Sequence, residues 1–383
     1  MGITGDWLIM FKKYNPIFDS IDLGSFFNDL EDNYYIFSDD TITEQQRLQI
    51  AKSSIYYYNN MPIVHSAIEK LIDYTIGNGI IFSLSEVLPA PGRDEIENFV
   101  NTKFDYLTIE PDCYYFVRKL LRNLLLYGRA YIYTNDNGKI KILNEFHINE
   151  SEAENGIYYT VNTERAFIPN YRLVRVFNSP KLGVIYPCGD MIEKLKKYVR
   201  SELISSCVAS LFSVFITKQE ESNPLLEEIE KIKKPSGLEP GVIFELNSGE
   251  SVQSVNPSRP NSNFSEFVTF ISKHICSCVG TPYELSLQSF SNSYSSSRAA
   301  FSIFSNTCTK YQNILERYFY RVFLRKILQT SKYNNQIEII ERGRFIMPNL
   351  RSISPKEDAE IMKIERDLNL SNEEEDKLRN GYY

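Results

Sequence analysis

Residues 271–301 read ISKHICSCVGTPYELSLQSFSNSYSSSRAAF. Three segments follow one another in it: an apolar helix, a break at Gly280 and Pro282, and a polar stretch in which six of the fourteen residues 288–301 are serine. Ahead of the break, Phe264, Phe267, Val268, Ile271, Ile275 and Val279 recur at helical spacing, with Glu266 three residues after Asn263 as a capping partner. Beyond it, Phe304, Cys308, Tyr311, Leu315, Tyr318 and Val322 are spaced by three and four, which predicts a helix from about Ser297 to Leu328. A serine-dense loop thus stands between two long helices. The rest of the chain must say whether it is a nucleophile, a linker or something else.

Upstream, residues 190–213 predict another long helix, with Met191, Leu195, Val199, Leu203, Cys207 and Leu211 every fourth position and Lys194, Lys196, Lys197 and Arg200 crowding its first turns. Residues 214–256 predict a small α/β unit: a strand, the charged helix LLEEIEKIKK, a breaker at Pro235-Ser236-Gly237, and a hairpin VIFEL-NSGE-SVQSV. The first half mixes helices with antiparallel strands. Helices are expected at Thr43–Asn59, Met61–Ile76, about 93–106 and Cys113–Tyr127, and strands at Ile80–Leu84, in the hairpin RAYIYT…KIKIL, at 157–162 and at 172–177. No βαβ rhythm runs through it. Residues 1–40 have little period and read as an arm.

Catalytic chemistry finds little support. No G-x-S-x-G elbow surrounds a serine, and the only candidate bases are His65, His147 and His274. On a helix, His274 and Cys278 share a face while Cys276 points roughly 200° away from His274, so the three do not converge on one ion. Phosphate-cradling glycine loops and H-E-x-x-H are absent. No cofactor or metal is expected.

The chain has 383 residues, 43% hydrophobic, enough for two or three domains. Its 42 Lys and Arg against 49 Asp and Glu leave a net charge of -7, which argues against a sequence-reading DNA binder. Six cysteines fall inside apolar or helical patterns and read as reduced. Nothing approaches the length of a membrane span, and Asp6 occupies the place where a myristoylation signal needs Ser or Thr. These features predict a soluble intracellular protein of α/β or α+β class.

Three stretches together resemble the portal proteins of lambda-type tailed phages: residues 237–268, residues 271–301, and 345–374 (FIMPNLRSISPKEDAEIMKIERDLNLSNEE). The residues carrying the likeness are Leu238, Pro240-Gly241, Leu246, Gly249-Glu250, Gly280-Thr281-Pro282-Tyr283-Glu284 and Tyr294-Ser295-Ser296-Ser297-Arg298-Ala299. Asn60-Met61-Pro62, Gly77-Asn78-Gly79 and Gly128-Arg129-Ala130 look like family features too. The family's arginine-proline and glutamine-x-arginine-glycine loop is replaced here by Ser179–Gly189.

The resemblance implies a helix-rich α+β subunit with a wing, a two-helix stem, a small α/β clip and a long spine helix. In order along the chain it implies an arm (1–40), a wing (41–189), stem helices (190–213 and 261–280) around a clip (214–260), a tunnel loop (281–297), the wing's spine helix and strand (298–345), and a C-terminal helical segment on the crown side (346–383). It implies a non-enzymatic ring, a dodecamer, at a capsid vertex of the virion, assembled in the host cytoplasm, through which double-stranded DNA passes without sequence readout. Ser289, Asn292, Ser293, Tyr294, Ser295, Ser296, Ser297 and Arg298 would face that channel. Glu227, Glu230, Lys231, Lys233 and Lys234 on the clip would meet the terminase large subunit and the head-tail adaptor, and capsid or scaffold protein would meet the ring. No membrane partner is implied. The alternatives are a virion component without a pore, or a hydrolase using a serine of 289–297.

The charge pattern suits a conduit. A net-negative subunit repels phosphates, and a neutral Ser and Asn loop offers weak, sequence-blind contacts. Serines at 295–297 also suit the N-terminus of the following helix.

Overall fold

The computed structural model describes residues 42–85, 87–88, 90–149, 155–161, 164–178, 182–210, 214–218, 250–254, 263–289, 294–348 and 355–368. The chain divides into two units, one of residues 194–268 and the other of 38–193 with 269–383. The helices Gly189–Ser210 and Phe264–Val279 each run across a boundary.

The larger unit begins with α1 (Glu44–Asn60), where Thr43 and Gln46 form a capping box, and α2 (Pro62–Ile76), which starts on a proline suited to a first turn. Val64, Ala67, Ile68, Leu71, Ile72 and Thr75 of α2 are all fully buried. After β1 (Ile81–Ser83) come α3 (Ala90–Leu107) and α4 (Cys113–Tyr127). α3 starts three residues before the expected 93, because Pro91 in a first turn costs no internal hydrogen bond and so does not break the helix. Asp112 caps α4, and Gly128, at φ +75°, ends it in the left-handed region. A Cβ on Gly128 would sit 2.2 Å from the Leu182 backbone nitrogen, and one on Gly183 would sit 2.0 Å from the Leu126 carbonyl oxygen. The segment around Leu182 and Gly183 therefore crosses the end of α4 at backbone contact, which only glycine permits.

The expected hairpin is present as β2 (Arg129–Thr134) and β3 (Ile140–Ile142). With β4 (Ile148–Asn149), β5 (Gly156–Val161), β6 (Glu164–Pro169) and β7 (Leu173–Phe177) it makes two three-stranded antiparallel sheets, ordered β3-β2-β7 and β4-β5-β6. Tyr131, Leu143, Ile148, Ile157, Ile168 and Leu173 pack into one cluster between them. Strand β6 was not expected from the sequence. Arg129, buried under this region, is held by Glu145 at 2.5 Å and Glu44 at 3.0 Å, tying β2 to α1.

Helix α5 (Gly189–Ser210) follows, with β8 (Val214–Lys218) and β9 (Glu250–Ser254) paired antiparallel in the smaller unit. The end of the expected 190–213 helix, the charged helix of the α/β unit and its VIFEL strand lie outside the described residues. α6 (Phe264–Val279) matches the expected apolar helix.

A short helix α7 (Tyr283–Leu287) comes next, then α8 (Tyr294–Leu315), a π-helical turn (Glu316–Tyr320) and α9 (Arg321–Gln329) in one unbroken run. At ~1.5 Å per residue the run is about 50 Å long. The expected buried stripe holds through Phe304, Cys308, Tyr311 and Leu315, then departs: Tyr318 is 38% exposed, and Phe319, Tyr320, Phe323 and Leu324 are buried in place of Tyr318 and Val322. The π-turn adds one residue to the helix and so advances the inward face by one position. Arg321 reaches back five residues to Glu316 at 2.6 Å and donates to the Glu341 and Gly343 carbonyls, both at 2.8 Å. The short α10 (Ile337–Ile340) precedes β10 (Arg344–Ile346), which pairs antiparallel with β1, and α11 (Pro355–Asp367) follows.

Candidate functional site

The segment leading into the serine stretch is fastened to α2. The Thr281 hydroxyl, fully buried, donates to the Ala67 carbonyl at 3.0 Å, and Ser66 donates to the Ser286 carbonyl at 2.5 Å. Ser286 in turn donates to the Pro282 carbonyl at 3.1 Å, and Gln288 ends α7 in the left-handed conformation at φ +53°. Beyond the stretch, α8 returns to the same helix: Tyr74 meets Phe304 edge-on at 5.4 Å, and the buried Gln312 amide donates at 3.0 Å to both the Thr75 and Pro348 carbonyls. Thr75 lies at the end of α2, where carbonyls lack a helical donor, so Gln312 serves as its cap. Both ends of the serine stretch are thereby anchored on one buried helix.

The residues expected to face a channel are placed as follows. Ser289 donates its backbone N–H to the Glu284 carbonyl at 3.1 Å. Asn292 and Ser293 lie outside the described residues, and Tyr294, Ser295, Ser296, Ser297 and Arg298 form the first turn and more of α8. The helix thus starts three residues ahead of the expected Ser297, and much of the stretch read as a loop is helical: residues 283–287 belong to α7 and residues from 294 to α8. Ser296 and Arg298 are exposed. Arg298 is the one charge in residues 294–309, so the start of α8 is polar and nearly neutral. Glu227, Glu230, Lys231, Lys233 and Lys234 lie outside the described residues.

The apolar stripe expected along α5 is corrected. Ile192, Leu195 and Glu202 are buried, whereas Met191 is 38% exposed, Leu203 61% exposed and Cys207 exposed. Positions four apart advance by about 400°, so a strict fourfold spacing drifts by about 40° per step and cannot stay on one face over six residues. On α6, Phe267 is likewise exposed rather than buried, though with Phe264 it meets Tyr198 of α5 at 4.7 and 5.6 Å.

Each histidine has a local contact. His65 stacks on Tyr58 at 4.6 Å, His147 meets Tyr159 edge-on, and the His274 ring stands 2.9 Å from the Phe270 carbonyl. Among the described residues no cluster of three His, Cys, Asp or Glu side chains is placed to hold a metal, and no helix is long and apolar enough to cross a membrane. An open groove of about 430 Å³ beside α4 is lined by Tyr58, Tyr115, Arg118, Lys119 and Arg122. Its cations are already paired: Arg118 with Glu69 at 2.8 Å and Asp73 at 2.6 Å, Arg122 with Glu69 at 2.9 Å, and Lys119 with Glu110 at 2.5 Å. That pairing neutralises the groove.

Residues 185–312 match the profile of phage portal proteins of the lambda family. The chain has a portal-type fold. Among solved structures, the neck of a native gene transfer agent particle, computed with C12 symmetry, superposes with a TM-score of 0.52 at 11% identity, covering 88% of this chain and 93% of that one. A chain from the virion of a native gene transfer agent particle gives 0.51 at 12% identity, covering 87% and 92%. At such identity the likeness is one of fold. No match was found among curated proteins. The portal-type match spans α5 through most of α8, so it includes the stretch whose two ends rest on α2. Sequence reasoning missed those anchors, Ser66, Thr281 and Gln312, because their partners lie far away in the chain; Thr281 alone carried a signal, inside Gly280-Thr281-Pro282-Tyr283-Glu284.

Proposed function

We propose that the protein is the portal of a tailed phage or phage-derived particle: copies close into a ring at a capsid vertex, and DNA enters and leaves through the hole. The family match over residues 185–312, inside a fold shared along 88% of the chain with a particle neck, is the observation that carries this reading. The C12 symmetry used for that neck supports twelve copies. The role is structural, with no catalytic residue assigned.

In this reading residues 289–298 lie at the channel, where Ser296 and a nearly neutral helix start give passing phosphates little to hold. Net charge supports it, since every copy adds -7 and a ring of like-charged subunits repels DNA rather than retaining it. The charged residues Glu227, Glu230, Lys231, Lys233 and Lys234 are the proposed docking surface for a terminase large subunit and later for a head-tail adaptor. The outside of the ring meets capsid protein. The protein would reside in the virion after assembly in the host cytoplasm.

Negative-stain imaging of the purified full chain tests the reading. Rings with a central hole are expected, and replacing Phe290–Ser293 by glycines should leave the rings intact while impairing DNA packaging or retention. Particles without a hole would favour a pore-less virion component. Hydrolytic activity lost on replacing a serine of 289–297 by alanine would sink both.

A further inference from the structure

The open groove beside α4 lies next to the point where residues 1–41 join the fold. Those residues lie outside the described ones, and Thr43 caps α1 directly after them. Glu44, the first residue of α1, bonds at 3.0 Å to Arg129, which stands two residues past the end of α4. Near the other end of α1, the Arg122 guanidinium is 5.8 Å from the Tyr58 ring. The two helices are therefore antiparallel, and the groove is the trough between them, with Ile55 and Tyr58 on one wall and Tyr115, Leu126 and Tyr127 on the other. Its Tyr127 end adjoins the start of α1.

The groove's cations are bonded to Glu69, Asp73 and Glu110, so no surplus charge draws in a bare anion. What stays open is aromatic wall, since Tyr115 is 58% exposed. Lys119 and Arg122 keep enough exposed side chain to face a second carboxylate beside the first. The sequence ahead of α1 has the matching chemistry. Residues 14–41 hold seven aromatic side chains and seven carboxylates with no Lys or Arg, and residues 1–41 account for -6 of the chain's -7, with two cations against eight carboxylates. Its last part, residues 34–41, reads YYIFSDDT. From Tyr115 to Tyr127 the groove wall rises about 18 Å, which about six extended residues cover at about 3.3 Å each. A segment tethered at the groove's end also meets it at a local concentration in the millimolar range.

We propose that the groove is the docking site of the chain's own residues 34–41. They lie back along the trough from the start of α1, with Tyr34, Tyr35 and Phe37 against the tyrosine walls and Asp39 and Asp40 toward the cations of the rim. Aromatic rings then cover Tyr115, and the acidic arm is held beside the few cations that can take another carboxylate. The inference concerns a single chain and does not depend on ring formation.

Tyr115→p-benzoylphenylalanine in the full chain places a photo-cross-linker in the groove wall. On irradiation at low protein concentration it is expected to join residues 34–41 at the mass of one chain, read by digestion and mass spectrometry. Chymotrypsin gives a second readout on the unlabelled full chain, because it cuts after Tyr34, Tyr35 and Phe37. Tyr115→Asp should release the segment. An acid in the first turn of α4 suits a helix N-terminus, so melting should stay near that of the wild type. The lost ring and the added like charge should speed cleavage at 34–37 roughly fivefold. Tyr115→Phe should keep the wild-type rate. The proposal is overturned by a cross-link that misses residues 34–41, by one that reaches them only at the mass of two chains, which makes a second copy the occupant, or by equal cleavage of wild type and Tyr115→Asp.

Discussion

Glu69 on α2 accepts from the Tyr58 hydroxyl at 2.6 Å and from two guanidinium groups of α4, Arg118 and Arg122. Burial pushes its pKa up, but the Tyr58 hydroxyl and the two arginines outweigh burial and hold the carboxyl below the usual carboxylate value. A depressed carboxylate stabilises the fold above its unfolded pKa of about 4.3, and that contribution is lost as pH falls through the folded value. Glu69→Gln should therefore cost about 1–2 kcal/mol at pH 7, between the values for exposed and buried pairs. The melting temperatures of the two chains should converge as pH falls below about 4, where protonated glutamate and glutamine differ little. A gap that stays constant from pH 7 to pH 3 would show that the carboxylate's charge is not what the site uses.

At the scale of elements, the π-turn Glu316–Tyr320 is a one-residue insertion that leaves the helix continuous on both sides. Deleting the exposed Tyr318 should close the turn to an ordinary α-helix with Phe304, Cys308 and Leu315 before it, and Phe323, Leu324 and Leu328 after it, still facing the core. Deleting Thr309, outside the turn, should instead rotate all that follows by about 100° and expose those side chains. Circular-dichroism melts check this: one cooperative transition is expected for the first deletion and its loss for the second, and equal damage from both would mean the turn is not the phase adjuster. The same turn marks how far sequence reading reaches. Thr43, Pro62, Asp112 and Gly128 bound their helices through local capping and backbone geometry, so those boundaries were legible. Strand β6 was not, because its first four residues are all exposed and ERAFIP has no inward-outward alternation. The shift of the buried stripe at Tyr318 was not either, since one extra residue leaves no mark in composition. The helix-rich α+β fold class was legible through motifs that fall at element ends, such as Gly280-Thr281-Pro282 and Gly77-Asn78-Gly79, while the contacts to α2 that hold the serine stretch join positions 214 and 220 residues apart.

For the whole molecule, the proposed ring would have to overcome the repulsion of subunits that each carry -7. Scattered apolar residues on a surface need no explanation, but the drift along α5 leaves Leu203 61% exposed on a helix that the portal reading places in the stem. If neighbouring copies meet there, Leu203→Asp removes apolar area from the contact and adds like charge to it, which together disfavour closure at every interface of the ring. The single exposed substitution should leave the subunit itself intact, with unchanged far-ultraviolet circular dichroism and melting of the monomer. Salt separates the two contributions. Charge repulsion is screened over about 10 Å at 0.1 M ionic strength and over about 3 Å at 1 M, whereas apolar association persists. Wild-type assembly, followed by sedimentation, should therefore rise with salt, and Leu203→Asp should remain monomeric at low salt and recover only in part at high salt. Rings that form equally well with Leu203→Asp would move the subunit contact off this face of α5, making other exposed apolar residues such as Phe270 at 56% and Ile303 at 71% the next to be replaced.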